Sequence, residues 1–359
     1  MLRVIVSGVH KLDMIHASYV LAGLCELDRR GEIELQCDLH DGRNFWDGLT
    51  INLELQSDAG AGKMLCIDLR DRSDVANPAA LERCDLYFRK SYYAPDLANL
   101  PEELRRKVRP LGLIFPCRSA PMDGLALRVL ARKFGEALQA AEGRRLIRFP
   151  REAVGMVRWY LSVPLSTKFQ EPPETTVDRR IVFQTRVWRE EEVIPDSSTE
   201  VNELRAGVIR ALRREFGARF QGGLIPTPYA RQHYPDLVCT HRDARRRAYV
   251  AASKRSLIAV YTRGLYHCNA WKLGEYLAGS KCVVAEGLRD ELPKPLREGT
   301  NYLGFGTPSE CVDQCRRLLD DADLASSMRL ANYQYYCEEV DPPSCIRKCL
   351  NRAYSHPEG

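Results

Sequence analysis

The stretch GLYHCNAWKLGEYLAGSKCVVAEG, residues 264–287, reads as a loop, an amphipathic helix and a short buried strand. Just before it lies SLIAVYT (256–262), a β-branched apolar run of strand length. Strand, loop, helix and strand in that order make a βαβ unit, which joins parallel neighbours in a sheet. Leu273 and Leu277, four residues apart, anchor one side of the helix to that sheet. Lys272 and Glu275, three apart, share the other side. A helix that only fills a core needs the leucines alone, so the charged side raises the expectation of a ligand.

The same rhythm extends outward. In the second half, RIVFQTRVW (180–188) and KCVVAE (281–286) read as buried strands. TEVNELRAGVIRALRREFG (199–217) reads as a helix with Thr199 as N-cap and Gly217 at its stop. Further helices are expected at about 243–254, 308–320, 321–337 and 343–354. In the first half, LRVIVSG (2–8), IELQCDL (33–39), KMLCIDL (63–69), DLYFRK (85–90) and LGLIF (111–115) read as strands, with helices over 14–30 and 125–143. EPPETTVD (171–178) breaks the rhythm and reads as a linker. A chain of 359 residues suits two domains. The pattern predicts two α/β domains with mostly parallel sheets.

Bulk properties exclude several classes. Hydrophobic residues at 45% and charged residues at 28% fit a globular protein. No apolar run is long enough to cross a bilayer, and the N-terminus lacks a signal-peptide pattern, so a cytoplasmic location is expected. The 13 cysteines are odd in number and scattered through apolar runs, which points to buried thiols in a reducing compartment. Cys311/Cys315 and Cys345/Cys349 have i,i+4 spacing, but a zinc site favours a tighter knuckle or a nearby histidine pair, so these thiols are expected to face a core. A net charge of +5 is no nucleic-acid signature; it is compatible with anionic ligands or an anionic membrane surface.

Residue by residue, Asn269 is expected to cap a helix beginning near Ala270, whose unpaired amides and dipole favour an anion such as a diphosphate. Lys272 would neutralise a phosphate, and Glu275 would accept hydrogen bonds from vicinal ribose hydroxyls. Ligands of open α/β sheets bind at the carboxyl ends of strands, where the loop opened by Gly264 falls. The competing reading is a surface ion pair between Lys272 and Glu275, worth little.

WKLGEYLAGSKCVVAEG, together with LPKPLREGTNYLGF, TPSECVDQCRRLLDD and SSMRLANYQYYCEEVDPP, resembles the C-terminal domain of GT-B glycosyltransferases, notably those of bacterial surface-polysaccharide and related glycan assembly. The resemblance covers about 180–345 and is weak over the first half. It implies two Rossmann-like domains facing across a cleft, spanning 1–170 and 179–340, with a C-terminal helix (about 343–359) crossing back to the first. The second domain would bind a nucleotide sugar and the first an acceptor, glycan, lipid-linked or small. Glu275 matches the second glutamate of the Glu-x7-Glu motif. His267 stands where the first would be, so retaining chemistry does not follow; His267 would instead meet the donor sugar or a phosphate. The order Gly279-Ser280-Lys281 also departs from the family pattern. Arg186, ending the first strand of this half, would meet the diphosphate, with Lys254 or Arg255 a further candidate. Such cations would let a glycosyltransferase work without a metal ion or cofactor. Asp321 and Asp323 read as a helix cap rather than a metal site.

On the acceptor side, His10, Asp13 and His16 follow the first strand, and one of them would serve as general base. Asp13 could equally cap the first long helix and His16 pack on it. Asp41 and Asp47 are further candidates. RRLIRFPREAVGMVRWYLSVPL (144–165) interleaves arginines with aromatic residues, which suits the inner face of an anionic membrane; the alternative is a domain-closing segment with solvated arginines. Two rival functions remain: a sugar-nucleotide epimerase, and an inactive partner or glycan-binding subunit. No nucleic-acid partner is expected.

Overall fold

The structure, a computed structural model, describes residues 1–39, 48–57, 60–74, 76–139, 154, 157, 158, 160–189 and 198–354. Asp41 and Asp47, and most of the first half of 144–165, lie outside the described residues. The chain forms two compact units, 1–168 with 341–359, and 169–340.

The first unit holds β1 (Leu2–Ser7), β2 (Ile33–Asp38), β3 (Thr50–Ser57), β4 (Gly60–Asp68), β5 (Leu86–Arg89) and β6 (Val108–Pro110) in the order β2-β1-β3-β4-β5-β6. β1 and β2 are parallel, as are β4, β5 and β6, but β3 runs antiparallel to both β1 and β4. The sheet is therefore mixed, because β3 and β4 form a hairpin rather than a crossover. The run 111–115 is not a strand: it is buried but continues past β6 as irregular chain. Its apolar character reflects burial, which a short run shares whether or not it pairs. The helices are α1 (Met14–Arg29), α2 (Pro78–Arg83), α3 (Glu102–Arg105) and α4 (Met122–Gln139).

The last helix, Pro342–Tyr354, belongs to this first unit and packs on α1. Gly23 makes that approach possible. A Cβ there would lie 2.6 Å from the Ile346 side chain and 2.7 Å from the Pro342 carbonyl oxygen. At the rim, Arg347 donates two hydrogen bonds to Glu32 at 2.6 and 2.7 Å.

The second unit holds β7 (Asp178–Thr185), α5 (Ser198–Phe216), β8 (Phe220–Leu224), α6 (Pro228–His233), α7 (Arg246–Arg255), β9 (Ser256–Tyr261), α8 (Lys272–Ala278), β10 (Cys282–Glu286), β11 (Tyr302–Phe305), α9 (Pro308–Asp320) and α10 (Ala322–Tyr335). The strand order is β11-β10-β9-β7-β8, with every pair parallel. This is the α/β alternation that the sequence predicts. Ile181, Phe183, Ile258, Val260 and Val284 pack with Val208, Leu212 and Leu318 into one core. α5 begins at Ser198, so Thr199 lies inside it rather than at the cap. Gly217 adopts φ 49°, the left-handed stop expected of it. Asp321 caps α10, accepting from the Leu324 amide at 2.9 Å.

The stretch read as a linker is fastened to the second unit. Glu171 pairs with Lys254 at 3.3 Å, its carbonyl accepts from the Ser280 hydroxyl, and Arg329 donates to the Thr175 carbonyl at 2.8 Å. All thirteen cysteines are free thiols; Cys311, Cys315, Cys345 and Cys349 are buried, as expected of thiols facing a core. Among the described residues, no helix is long and apolar enough to cross a membrane.

Candidate functional site

Because the second sheet is all parallel, its carboxyl ends share one edge, the edge where α/β sheets bind ligands. Arg186 follows β7 there and is exposed. The loop 262–271 leaves β9 at the same edge, and α8 starts from it. α7 also begins there, with Arg246 as its first residue.

Glu275 sits in the first turn of α8 and is only 5% exposed. It is not half of a surface pair with Lys272. Its carboxylate accepts from both terminal nitrogens of Arg246, at 3.0 and 2.6 Å. The Arg246 guanidinium in turn lies 5.1 Å from the Phe169 ring and 5.8 Å from the Tyr249 ring. The Lys272 ammonium donates to the Gln184 carbonyl of β7 and sits 4.2 Å from the Tyr249 ring centroid. Burial pushes the Lys272 pKa down to about 7; Glu275 opposes that shift, while Arg246 and Arg205 add to it. The pair thus combines a buried, already neutralised carboxylate with a cation whose charge is poorly compensated.

Asn269 does not cap α8. The helix follows Trp271, without a side-chain cap. Asn269 is buried and donates to the Asp290 carbonyl at 3.1 Å. The Ala270 amide is taken by the Tyr261 hydroxyl at 2.8 Å. The expected anion site at this helix start is therefore corrected: α8 is only seven residues long and the amide just ahead of it is already bonded. Gly264 acts through shape. Its amide donates to the Cys268 carbonyl at 2.9 Å, and a Cβ would meet the Cys268 sulfur at 2.6 Å. Between them, Tyr266 and His267 hold φ values of 56° and 62°, a left-handed pair that costs energy in residues with side chains.

Lys254 lies elsewhere. It lies in the last turn of α7, one residue before its end at Arg255 and beside the amino end of β9; there it pairs with Glu171, and its carbonyl accepts from the Lys281 ammonium at 2.6 Å. The right-handed βαβ path takes α7 from the carboxyl edge back to the amino edge, so its two ends serve different places.

Sequence reading missed three arginines at the carboxyl edge. Arg246 hides in the basic run HRDARRRAYV, which reads simply as the start of a helix. Arg205 of α5 is almost fully buried and donates to the Thr262 hydroxyl at 3.0 Å, to the Arg186 carbonyl at 2.6 Å and to the Arg263 carbonyl. Its guanidinium lies 4.2 Å from the Trp188 ring centroid, and burial pushes its pKa down to about 9. Arg263 donates to Glu286 from its amide at 2.9 Å and its guanidinium at 2.8 Å, and to Glu200 at 3.0 Å. These contacts brace the ends of β7, β9 and β10 around Arg186. The one available signal was Arg263 directly after the strand SLIAVYT.

In the first unit, Gly8 (φ 63°) ends β1 and His10 is buried in the short turn that follows. Asp13 caps α1, accepting from the amides of Ile15 at 2.9 Å and His16 at 3.4 Å. Its other oxygen lies 3.1 Å from the His16 ring. The His16 hydrogen bond holds the Asp13 carboxyl below its ordinary pKa, which makes it a poor proton acceptor near neutral pH.

No family model matches the chain, and no curated protein matches its sequence. The chain is similar to glycosyltransferase structures. One is the C-terminal domain of a glycosyl transferase group 1 family protein, LpcC, from Francisella tularensis: 13% identity, 48% of this chain, 96% of that domain, TM-score 0.33. Another is HepE from Anabaena in complex with UDP: 9% identity, 76% of this chain, 64% of that one, TM-score 0.40. UDP-GlcNAc 2-epimerase from Neisseria meningitidis bound to UDP-GlcNAc is also similar: 13% identity, 76% of this chain, 62% of that one, TM-score 0.36. This chain therefore spans less than two thirds of HepE and of the epimerase. At these scores the likeness decides nothing about chemistry.

Proposed function

We propose that the second unit binds a nucleoside-diphosphate sugar at its carboxyl edge, and that the protein is a glycosyltransferase passing the sugar to a hydroxyl of a glycan, lipid-linked or small acceptor. The observation that carries this reading is Glu275: a buried carboxylate, one turn into the helix after β9, gripped on two sides by Arg246. A carboxylate offers about four lone-pair positions, so two remain for vicinal ribose hydroxyls. Lys272, in the same first turn of α8, and Arg186, exposed after β7, are assigned to the diphosphate oxygens, with no metal ion invoked. An anion there would restore the charge that burial disfavours on Lys272.

Departure of the nucleoside diphosphate builds charge on its outer oxygens. Cations fixed in advance by Tyr249, Gln184 and the Arg205 brace meet that charge without reorganising, and so favour the transition state over the ground state. His267, in its left-handed turn, is assigned to the donor sugar. On the acceptor side His10 or His16 is assigned as base, with Asp13 orienting His16.

UDP, named for the similar HepE structure, is the probe to start with. Titration calorimetry should detect binding that Glu275→Ala weakens by about 1.5–3 kcal/mol. Release of UDP from a UDP-sugar only when acceptor is added supports the transferase. Change of the sugar with no release would assign an epimerase instead. Failure of every nucleoside diphosphate to bind would assign the inactive subunit.

A further inference from the structure

We propose that Arg205 gives the second unit its preference for phosphate, as a positioning residue that holds Arg186 and lends its own buried charge to the crevice between the carboxyl ends of β7 and β9. The inference rests on the sugar-nucleotide reading and deepens it, by naming the group behind selection of the phosphate-bearing part of the ligand.

Strand order makes the crevice. β8 lies on one side of β7 and β9 on the other, so the sheet changes its winding direction between β7 and β9. Open parallel sheets bind ligands at such a switch point. β7 stays in register with β8 as far as Thr185↔Leu224, but its register with β9 ends at Val182↔Ala259. The last three residues of β7 therefore run on beside β9 without pairing to it. Thr185 turns its carbonyl to the β8 side, where the Ile225 amide donates at 2.8 Å, so alternation turns the Gln184 carbonyl toward β9.

Cations take the places that ladder amides fill elsewhere. Lys272 donates to the Gln184 carbonyl. Arg205 donates to the Arg186 carbonyl at 2.6 Å and, on the β9 side, to the Thr262 hydroxyl at 3.0 Å and the Arg263 carbonyl. Arg205 is 2% exposed, and every one of these acceptors is neutral. Glu286 attracts it, but the Glu286 carboxylate hydrogen-bonds to Arg263 instead.

That arrangement is costly for a brace alone. A buried charge without a bonded counter-charge loses its hydration and recovers little of it. Tying two strand ends together needs only neutral N–H donors, which a glutamine also carries. The charge itself calls for an anion at the crevice. Arg186, exposed and tethered through its carbonyl, is the residue that Arg205 holds in place to meet it.

The test is calorimetry of the full chain with UDP, uridine monophosphate and uridine, which share base and ribose and differ in phosphate. Wild-type protein should bind UDP more tightly than uridine. Arg205→Gln should weaken UDP about tenfold and move uridine by less than about twofold, with uridine monophosphate between them. Arg205→Lys keeps the charge and should hold UDP within about threefold of wild type. Thr262→Asp sets a carboxylate against Arg205 in place of the hydroxyl, and should reproduce the loss of UDP even if Arg205→Gln fails to fold. Loss of UDP and uridine by the same factor would make Arg205 a structural brace only and overturn the proposal. Wild-type UDP binding by Arg205→Gln or Thr262→Asp would overturn it too, as would a loss in Arg205→Lys as large as in Arg205→Gln. If the wild-type protein binds no UDP, the sugar-nucleotide reading itself fails and takes this inference with it. Wild-type binding with a UDP-to-uridine ratio that the variants leave unmoved removes this inference alone.

Discussion

Arg246 holds Glu275 through both terminal nitrogens, at 3.0 and 2.6 Å, across 29 positions of the chain. The grip is unequal in environment: the Arg246 side chain is 30% exposed and that of Glu275 only 4%. Loss of one partner leaves a different problem from loss of the other.

Arg246→Ala strands a carboxylate with little water, whereas Glu275→Ala leaves an arginine that can reach solvent. Arg246→Ala should therefore cost more stability, about 3 kcal/mol, with Glu275→Ala costing clearly less. Urea unfolding of both variants checks the order. Both should weaken UDP binding, and a Glu275→Ala protein that binds UDP like the wild type would remove the ribose assignment.

Lys272 has a pKa near 7 in the free protein, so it is mostly neutral at pH 8. A terminal phosphate, pKa about 6, is by then ionised. Binding of UDP at pH 8 should take up nearly one proton, and affinity should fall as pH rises from about 7 to 9. Calorimetry in buffers of different ionisation enthalpy reads the uptake directly, and Lys272→Met should abolish it.

Stability should itself depend on pH. Burial pushes both Lys272 and Lys281 down to about 7, so above that pH the unfolded chain holds protons that the folded chain does not. Stability therefore rises from about pH 7 to 8.5. Burial also pushes the Cys25, Cys37 and Cys282 thiols up to about 12, so above their ordinary value near 9 the unfolded chain loses protons that the folded chain keeps. The rise should turn into a fall there. Urea midpoints under reducing conditions should trace this maximum, and Lys281→Met should flatten its rising side.

Close packing and surface charge make unequal contributions to the docking of the last helix on α1. Gly23→Ala forces the backbone of Pro342 away and should cost about 1–3 kcal/mol. Glu32→Ala removes an ion pair whose members are about one third exposed, and should cost no more than about 1 kcal/mol. Thermal unfolding of the two variants decides the ranking.

The sequence made β9, α8 and β10 legible because strand and helix periodicities are properties of neighbouring residues. The same holds for Asp13 and Asp321, whose capping partners lie within three positions. Lys272 and Glu275 stood out because a core helix has no need of them. Arg246, Arg205 and Arg263 did not, because an arginine in a basic helix or after a strand looks the same whether it is solvated or buried.

The amino-acid order alone determined where most helices and strands form, and that apolar runs alternate through two α/β units. Only the tertiary structure decided that β3 runs antiparallel, that 111–115 is buried without pairing, and that Lys254 lies at the opposite edge from Lys272. It also decided that Glu275 meets Arg246 rather than Lys272. Periodicity and capping act within a turn or two of chain, whereas sheet order and ion pairing are set by which distant segments the core brings together, with burial fixing the charge each group can keep.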